Sequence, residues 1–313
     1  GNKVSEVFVK GISRGLMTAR EYHDSKKQLT NEVLESFERL SYEHDIVIIE
    51  GAGSPSELNL KQDDIANMGF AKKIKAPVLI VGDINPGGIF AQLYGTFMLL
   101  EEDEKELVKG FIINKFRGDE SLIKDSLVRY KGIIQRPVLG IVPYLDLRLE
   151  EEDSLSVSGN TTAKESALID IAVLKLPFTR DDSELAAMSQ HPLCNLRTIK
   201  NKEELGNPDL IIVPKSSNEE ARAQFLLKFE SVLEAQLIKN TPLLDLEDEH
   251  QSSLNDTTSV EELIQALLEL KGLSAHAHFD YEDFRESQVR ALAHSVRTAL
   301  DMDELYAIVG VKR

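Results

Sequence analysis

Short apolar runs alternate with longer amphipathic stretches through the first half of the chain. Runs that are rich in β-branched residues and too short for a buried helix indicate strands. Such runs lie at 46–49, 78–81, 111–113 and 138–142. Apolar residues at helical spacing predict a helix at 27–42, ahead of the first run. A second helix is predicted at about 61–74, between the first two runs. Strands that are apolar on both faces and separated by helices predict a parallel sheet covered on both sides, so the first half is interpreted as a doubly wound α/β domain.

The second half repeats the α/β pattern after a polar interval. Its apolar runs at 169–176, 193–196 and 210–213 predict strands. Helices are predicted from a capping box at Ser217 and Glu220 to about Ile238, and at about 285–300. The acidic residues 240–258 predict an exposed loop. We therefore expect an α/β domain over 1–147, a linker over 148–164 and a smaller α/β domain over 165–313.

Composition narrows the possible partners and location. The 313 residues include 36 Lys and Arg against 53 Asp and Glu, which gives a formal charge of −17. This balance argues against nucleic acid as a main partner. The single cysteine cannot form a disulfide within the chain, which fits a reducing compartment. No run approaches the ~20 apolar residues that span a bilayer, and no signal-peptide pattern opens the chain. We expect a soluble, cytoplasmic protein with no membrane contact; the sequence does not predict its oligomeric state.

Polar residues and glycines follow the predicted strands of the first domain, where a doubly wound sheet binds its ligands. Glu50 ends the first run, and Asp83 follows the second, with Gly87 and Gly88 just beyond. Two carboxylates beside glycines suit a Mg²⁺-phosphate site if their strands are neighbours. Carboxylates that cap helices, and glycines that serve turns, explain the same pattern.

Asn114 and Lys115 follow the third run. An amide side chain there can read a nucleotide base, but for this pair on its own a turn residue beside a solvated lysine is the better interpretation.

Longer motifs that contain these residues resemble cobyric acid synthase. The motifs occupy 50–60, 64–69, 87–91, 110–119 and 143–144. The resemblance covers about 1–157 and continues more weakly at 171–173, 204–212, 279–285 and 300–306. It implies an ATP-dependent, glutamine-using amide ligase of cobalamin biosynthesis. Such enzymes amidate four peripheral carboxylates of adenosylcobyrinic acid a,c-diamide and give cobyric acid.

The resemblance also implies the fold and the chemistry of each domain. The first would be similar to dethiobiotin synthetase, with a P-loop-NTPase-like sheet, and the second would be a class I glutamine amidotransferase that releases ammonia. ATP would convert the carboxylate into an acyl phosphate that ammonia attacks, with Mg²⁺ neutralising phosphate charge. The substrates and cofactors are thus a corrinoid, ATP, Mg²⁺, and glutamine or free ammonia.

Residue by residue, the resemblance makes Glu50 a Mg²⁺ ligand. The residues that would hold the adenine end of ATP are Asn114, Lys115 and Pro143. Those that would lie by the phosphates or the corrinoid carboxylate are Asp83, Gly87, Gly88 and Phe90.

The chain departs from the family pattern in its first domain. The family opens with a G-x-x-x-x-G-K-[ST] phosphate-binding loop, which these 313 residues lack. The residues from Gly1 match the family after that loop, so we expect a fragment that lacks an N-terminal segment. The family also has arginine at the position of Pro86, preceded by aspartate where this chain has Asn85. These changes should weaken ATP or substrate binding.

The second domain departs further. Glutamine hydrolysis needs a cysteine nucleophile, a histidine base and an orienting glutamate. The family places the cysteine in a tight turn after the strand that follows 214–218, and here no cysteine comes after that region. His276 falls where the catalytic histidine stands and is interpreted as a relic; with His278 it lacks a third metal ligand. Cys194 lies upstream and is interpreted as a buried structural thiol. We expect a chain that cannot hydrolyse glutamine.

Two alternatives remain open. A non-catalytic relative would bind a corrinoid or a protein partner without turnover. An amidase of another kind would act through Cys194.

Overall fold

A computed structural model describes residues 4–61, 63–149, 164, 166–177, 183–216, 218–247, 259–275 and 278–311. The chain divides into two compact units. The first combines 1–146 with 292–313, and the second is 147–291. The sequence placed 292–313 in the second domain, whereas the structure places them in the first unit. Most of the predicted linker, 150–163, lies outside the described residues.

The first unit begins with an antiparallel hairpin and a long helix, followed by a three-stranded parallel sheet and its helices. Its elements are β1 (Val4–Val9), β2 (Ile12–Thr18), α1 (Ala19–Glu43), α2 (Met68–Ile74), β3 (Val78–Asp83), α3 (Ile89–Met98), α4 (Glu102–Leu107), β4 (Val108–Phe116), α5 (Lys124–Ile134) and β5 (Val138–Pro143). The strand order β3-β4-β5 confirms the parallel sheet expected from three of the four apolar runs.

Both faces of the sheet of the first unit pack against helices, although Val81 of β3 is 57% exposed. On one face Phe111 and Ile113 are fully buried in a cluster with Leu93 of α3 and Tyr130 of α5. The other face, which includes Leu139, packs against the end of α9 (Tyr281–Ala299) and against α10 (Met302–Val309). This packing is why the last residues belong to the first unit.

A close backbone approach joins that second face to the end of the chain. Gly140 of β5 forms a bridge with Leu300. A Cβ atom added at Gly140 would lie 2.2 Å from the carbonyl oxygen of Ala299. Glycine is therefore required where the C-terminal segment crosses β5.

The predicted strand at 46–49 is wrong. These residues form no regular structure, and Ile48 is 92% exposed. A strand needs a neighbour to accept its backbone hydrogen bonds. Among the described residues, β3 pairs with β4 alone, so the apolar run has the composition of a strand without a pairing partner.

The predicted helix at 61–74 is shorter in the structure and begins at Met68. The Asp64 carboxylate accepts hydrogen bonds from the backbone N–H groups of Ala66, Asn67 and Gly69, at 2.8–2.9 Å. Side-chain bonds of this kind compete with helical hydrogen bonding, so the chain turns before the helix can form. By contrast α1 is longer than predicted, because Thr18 and Glu21 form a capping box ahead of it.

The second unit has a four-stranded parallel sheet in the order β7-β6-β8-β9. Its elements are β6 (Ile169–Leu174), α6 (Ser183–Gln190), β7 (Cys194–Ile199), β8 (Leu210–Val213), α7 (Glu219–Ile238), β9 (Leu243–Asp245), α8 (Val260–Leu270) and most of α9. Both units are thus α/β with parallel sheets, which confirms the predicted fold class.

Two local predictions in the second unit change. The loop expected over 240–258 contains β9, which pairs with β8, while 248–258 lie outside the described residues. Ser217 of the predicted capping box is also outside them. Asn218 caps α7 instead, by accepting a hydrogen bond from Ala221 N. No helix among the described residues has the length and apolar character needed to cross a membrane.

Candidate functional site

The carboxyl ends of β3 and β4 bring three of the predicted site residues together. Asp83 and Asn114 are partners in the parallel register of these strands. Lys115 follows Asn114 with a φ of 61°, and its Nζ lies 2.9 Å from Asp83 Oδ2. The other carboxylate oxygen accepts a hydrogen bond of 2.9 Å from Asn85 N. The structure therefore brings Asp83, Asn114 and Lys115 together at one sheet edge.

This pairing affects the charge of the site. The hydrogen bond from Lys115, together with the Asn85 N–H, holds the pKa of the Asp83 carboxyl below its usual value. Asp83 is therefore ionised at neutral pH, and its negative charge lies beside the positive charge of Lys115. Their side chains are 38% and 49% exposed, so both face water at the sheet edge.

Gly87 and Gly88 form the turn between β3 and α3. Their φ angles are 81° and 69°, a region that side chains rarely adopt. A Cβ atom at either position would meet nothing within 4 Å, so the backbone is open to a ligand here. Gly88 caps α3 without a side-chain hydrogen bond. The backbone N–H groups of a helix start favour anions.

Phe90 and Pro143 have packing roles in the structure. The Phe90 ring lies 5.2 Å from the Tyr130 ring and packs against the core of the first unit. Pro143 ends β5 and pairs with Phe116 of β4. The binding roles that the resemblance implies for both residues stay predictions.

Glu50 does not end a strand, because 46–50 form no regular structure. The geometric reason for placing Glu50 beside Asp83, two adjoining strands, is therefore absent. Glu50 is exposed, and just beyond it the backbone is fixed by a hydrogen bond of 2.7 Å from Asn67 Nδ2 to Ala52 O. Among the described residues, no three His, Cys, Asp or Glu side chains are grouped as a metal site. Since Mg²⁺ often uses one or two carboxylates together with substrate phosphates, an exposed Glu50 fits such a ligand.

The carboxyl end of the second sheet is arranged differently. Resemblance places the family's cysteine nucleophile after the strand that follows 214–218, which in the structure is β9. Beyond β9 stands Glu247, whose Oε2 lies 2.7 Å from Arg222 Nε. Arg222 Nη2 also donates to both oxygens of Asp245, at 2.5 and 2.6 Å. Glu247 accepts a further bond from Ser216 N. Sequence reasoning missed this ion-pair cluster.

The lone cysteine is buried, as the sequence predicted. Cys194 begins β7, has no exposed surface, and its burial raises the pKa of the thiol to about 12. Lys164 lies close enough to oppose this rise, but its Nζ donates to the backbone oxygens of Ser189 and His191. A thiol held in the protonated state is a poor nucleophile. His276 lies outside the described residues.

Comparison with known proteins gives these residues a family context. A family model described as an AAA domain matches residues 15–152. The cobyric acid synthase of Ruminiclostridium cellulolyticum is 49% identical over 216 residues, which are 69% of this chain and 42% of that protein. The cobyric acid synthase of Clostridium botulinum is 48% identical over 217 residues, which are 69% of this chain and 43% of that protein. The cobyric acid synthase of Lachnoclostridium phytofermentans is 46% identical over 239 residues, which are 75% of this chain and 46% of that protein.

The chain spans less than half the length of these curated relatives. No solved structure matches it. Identity of this degree over more than two thirds of the chain confirms the resemblance that the motifs indicated. The chain is a relative of the cobyric acid synthases.

Proposed function

We propose that this chain performs the ATP-dependent, amide-forming part of cobyric acid synthesis in cobalamin biosynthesis. Its substrate would be adenosylcobyrinic acid a,c-diamide, whose peripheral carboxylates become amides. The observation that carries this proposal is the cluster of Asp83, Asn114 and Lys115 beside the open turn at Gly87–Gly88. The similarity to cobyric acid synthases supports the same reaction.

The reaction needs activation of a carboxylate, because ammonia does not attack a carboxylate at neutral pH. A carboxylate oxygen would form a bond to the γ-phosphorus of ATP as the bond to ADP breaks. Ammonia would then attack the acyl carbon of this acyl phosphate, phosphate would leave, and the nitrogen would lose a proton.

Residues of the first sheet edge would bind and orient the reactants. Lys115, held in place by Asp83, and Asn114 would bind the nucleotide. The open backbone of Gly87 and Gly88 would approach the phosphates or the corrinoid carboxylate. When bound, Mg²⁺ held by Glu50 would neutralise phosphate charge.

We infer that the ammonia does not come from glutamine hydrolysed by this chain. Glu247, paired with Arg222, follows the strand after which the family carries its nucleophile. The thiol of Cys194 is buried in its protonated form. The nitrogen source would then be free ammonia or a separate glutaminase.

The test is to incubate the chain, fused behind a phosphate-binding loop segment of the family, with adenosylcobyrinic acid a,c-diamide, Mg-ATP and either ammonium chloride or glutamine. ADP release and amide formation are followed by enzymatic assay and mass spectrometry. We expect corrinoid-dependent turnover with ammonium and none with glutamine. Absence of corrinoid-dependent ADP release with ammonium would refute the proposal. Corrinoid binding without ADP release would favour the alternative of a non-catalytic relative.

A further inference from the structure

Arg117 and Tyr144 lie side by side just beyond the ends of β4 and β5. The last residues of these strands, Phe116 and Pro143, are paired in the sheet, and Tyr144 N donates a hydrogen bond of 2.8 Å to Phe116 O. The following side chains therefore project from the same sheet edge. The Cζ atom of Arg117 lies 3.3 Å from the centre of the Tyr144 ring.

This stacking prepares the Arg117 guanidinium for binding. Stacking uses the flat face of the guanidinium, whereas its N–H donors lie in the plane and point away from the ring. Both Arg117 and Tyr144 are exposed, so those donors can reach a ligand. Because the ring limits the side chain's freedom, less rotamer entropy is lost when a ligand binds.

The charges of this edge indicate what Arg117 would bind. Lys115 is paired with Asp83, so its charge is compensated. Within the part of the chain that the structure describes, Arg117 forms no ion pair with a carboxylate. Its positive charge is thus available to an anion at the same edge as Asn114 and Gly88. Planar guanidinium groups bind carboxylate and phosphate oxygens through two parallel hydrogen bonds.

We propose that Arg117 binds an oxyanion of the ligand and that Tyr144 positions its guanidinium. This inference rests on the proposed function and names a residue that recognises the anionic reactant. The oxyanion belongs either to the phosphates of ATP or to a corrinoid carboxylate, and separate binding experiments distinguish the two.

The experiment measures binding of Mg-ATP and, separately, of adenosylcobyrinic acid a,c-diamide to the chain by isothermal titration calorimetry. Arg117→Ala is compared with Arg129→Ala, which removes an equal charge from an exposed position on α5. Tyr144→Leu removes the ring, and Tyr144→Phe keeps it. Circular dichroism checks that each variant is folded.

Loss of a charged hydrogen-bond donor should weaken binding of one probe by about 10- to 100-fold in Arg117→Ala. Arg129→Ala should bind both probes as the wild type does. Tyr144→Leu should weaken binding of the same probe. Tyr144→Phe keeps the ring and should bind that probe as the wild type does, whereas a role of the hydroxyl group alone predicts weaker binding in both variants. The probe that is weakened identifies the source of the oxyanion.

Unchanged binding in Arg117→Ala, or equal losses in Arg117→Ala and Arg129→Ala, would overturn the role of Arg117 while leaving the proposed function intact. Equal weakening in Tyr144→Phe and Tyr144→Leu would overturn the stacking role. If the wild type binds neither probe, both the inference and the proposed function are wrong.

Discussion

The carboxyl edges of the two parallel sheets use their polar residues in opposite ways. At the first edge Asp83 and Lys115 form an exposed pair, beside a glycine turn with open space around it. At the second edge Arg222 binds Asp245 and Glu247, and these side chains are only 15%, 24% and 30% exposed. The first edge has groups that can exchange water for a ligand, and the second has groups that already satisfy one another.

This difference shows that position in an α/β fold does not by itself create a binding site. Ligands of such folds bind beyond the carboxyl ends of the strands, and both units provide such an end. A ligand at the second edge would have to displace partly buried ion pairs, which leaves charges without partners and is costly. A candidate site therefore differs from a closed edge in whether its polar side chains are exposed to water or already paired with one another away from it.

The largest expected effect concerns the reactivity of the second unit. With a thiol pKa of about 12, Cys194 in the folded chain should react with iodoacetamide at pH 8 roughly 1,000-fold more slowly than an ordinary cysteine of pKa about 8.5. Mass spectrometry measures the labelling rate, and the urea-unfolded chain is the control. Fast labelling of the folded chain would revive the hypothesis of an amidase that acts through Cys194.

The next effect tests the closed edge directly. Arg222→Met leaves Asp245 and Glu247 without their cation, so the free energy of unfolding should fall by about 2–3 kcal/mol, somewhat less than for a fully buried pair. Urea unfolding followed by circular dichroism measures the change. Arg290→Met, which removes an arginine that is 77% exposed and paired along one helix, should change it by only about 0–0.5 kcal/mol. Similar values for the two variants would contradict a closed ion-pair cluster.

A third effect concerns the packing of the C-terminal segment against β5, a strand of the first sheet. A methyl group in Gly140→Ala would collide with the Ala299 carbonyl, so this variant should lose about 1–3 kcal/mol of unfolding free energy through overpacking. Gly132→Ala is the matched control, because its added methyl group meets nothing within 4 Å. It should be neutral or slightly stabilising in a helix. Equal stability of the two variants would show that the C-terminal segment does not pack on β5.

The smallest effect concerns the charge pair of the open edge. In Lys115→Met the pKa of Asp83 should rise toward its usual value, as measured by NMR titration of its carboxyl carbon. Since the folded-state pKa is lowered, the associated stability is fully present above the unfolded value of about 3.9 and is lost as the pH falls through the folded-state pKa. Exposure limits this contribution to about 0.2–0.5 kcal/mol. An unchanged pKa in Lys115→Met would exclude the pair in solution.

Sequence patterns predicted the elements whose partners lie nearby or whose runs are buried on both faces. The strands at β3, β4 and β5 follow from their apolar runs. The run at 46–49 has the same composition but no pairing strand among the described residues, and composition carries no information about a partner. Likewise, the three hydrogen bonds of Asp64 that delay α2 depend on a local fold that periodicity does not reveal.

The candidate site was predicted to the extent that it depends on strand ends. Asp83, Asn114 and Lys115 follow apolar runs, and parallel strands bring such residues to one edge. The contacts of Arg117 with Tyr144 and of Arg222 with Glu247 depend on strand register and side-chain orientation, which a single sequence does not provide.

Hydrogen exchange of the backbone amides, with and without ligands, tests most directly whether the first edge is the binding edge. With Mg-ATP, we expect slower exchange at 83–90 and 114–118, because a bound nucleotide would cover the glycine turn and the strand ends. With glutamine, exchange at 214–216 and 245–247 should not change. Protection of the second edge by glutamine, or no protection of the first edge by Mg-ATP, would contradict this account.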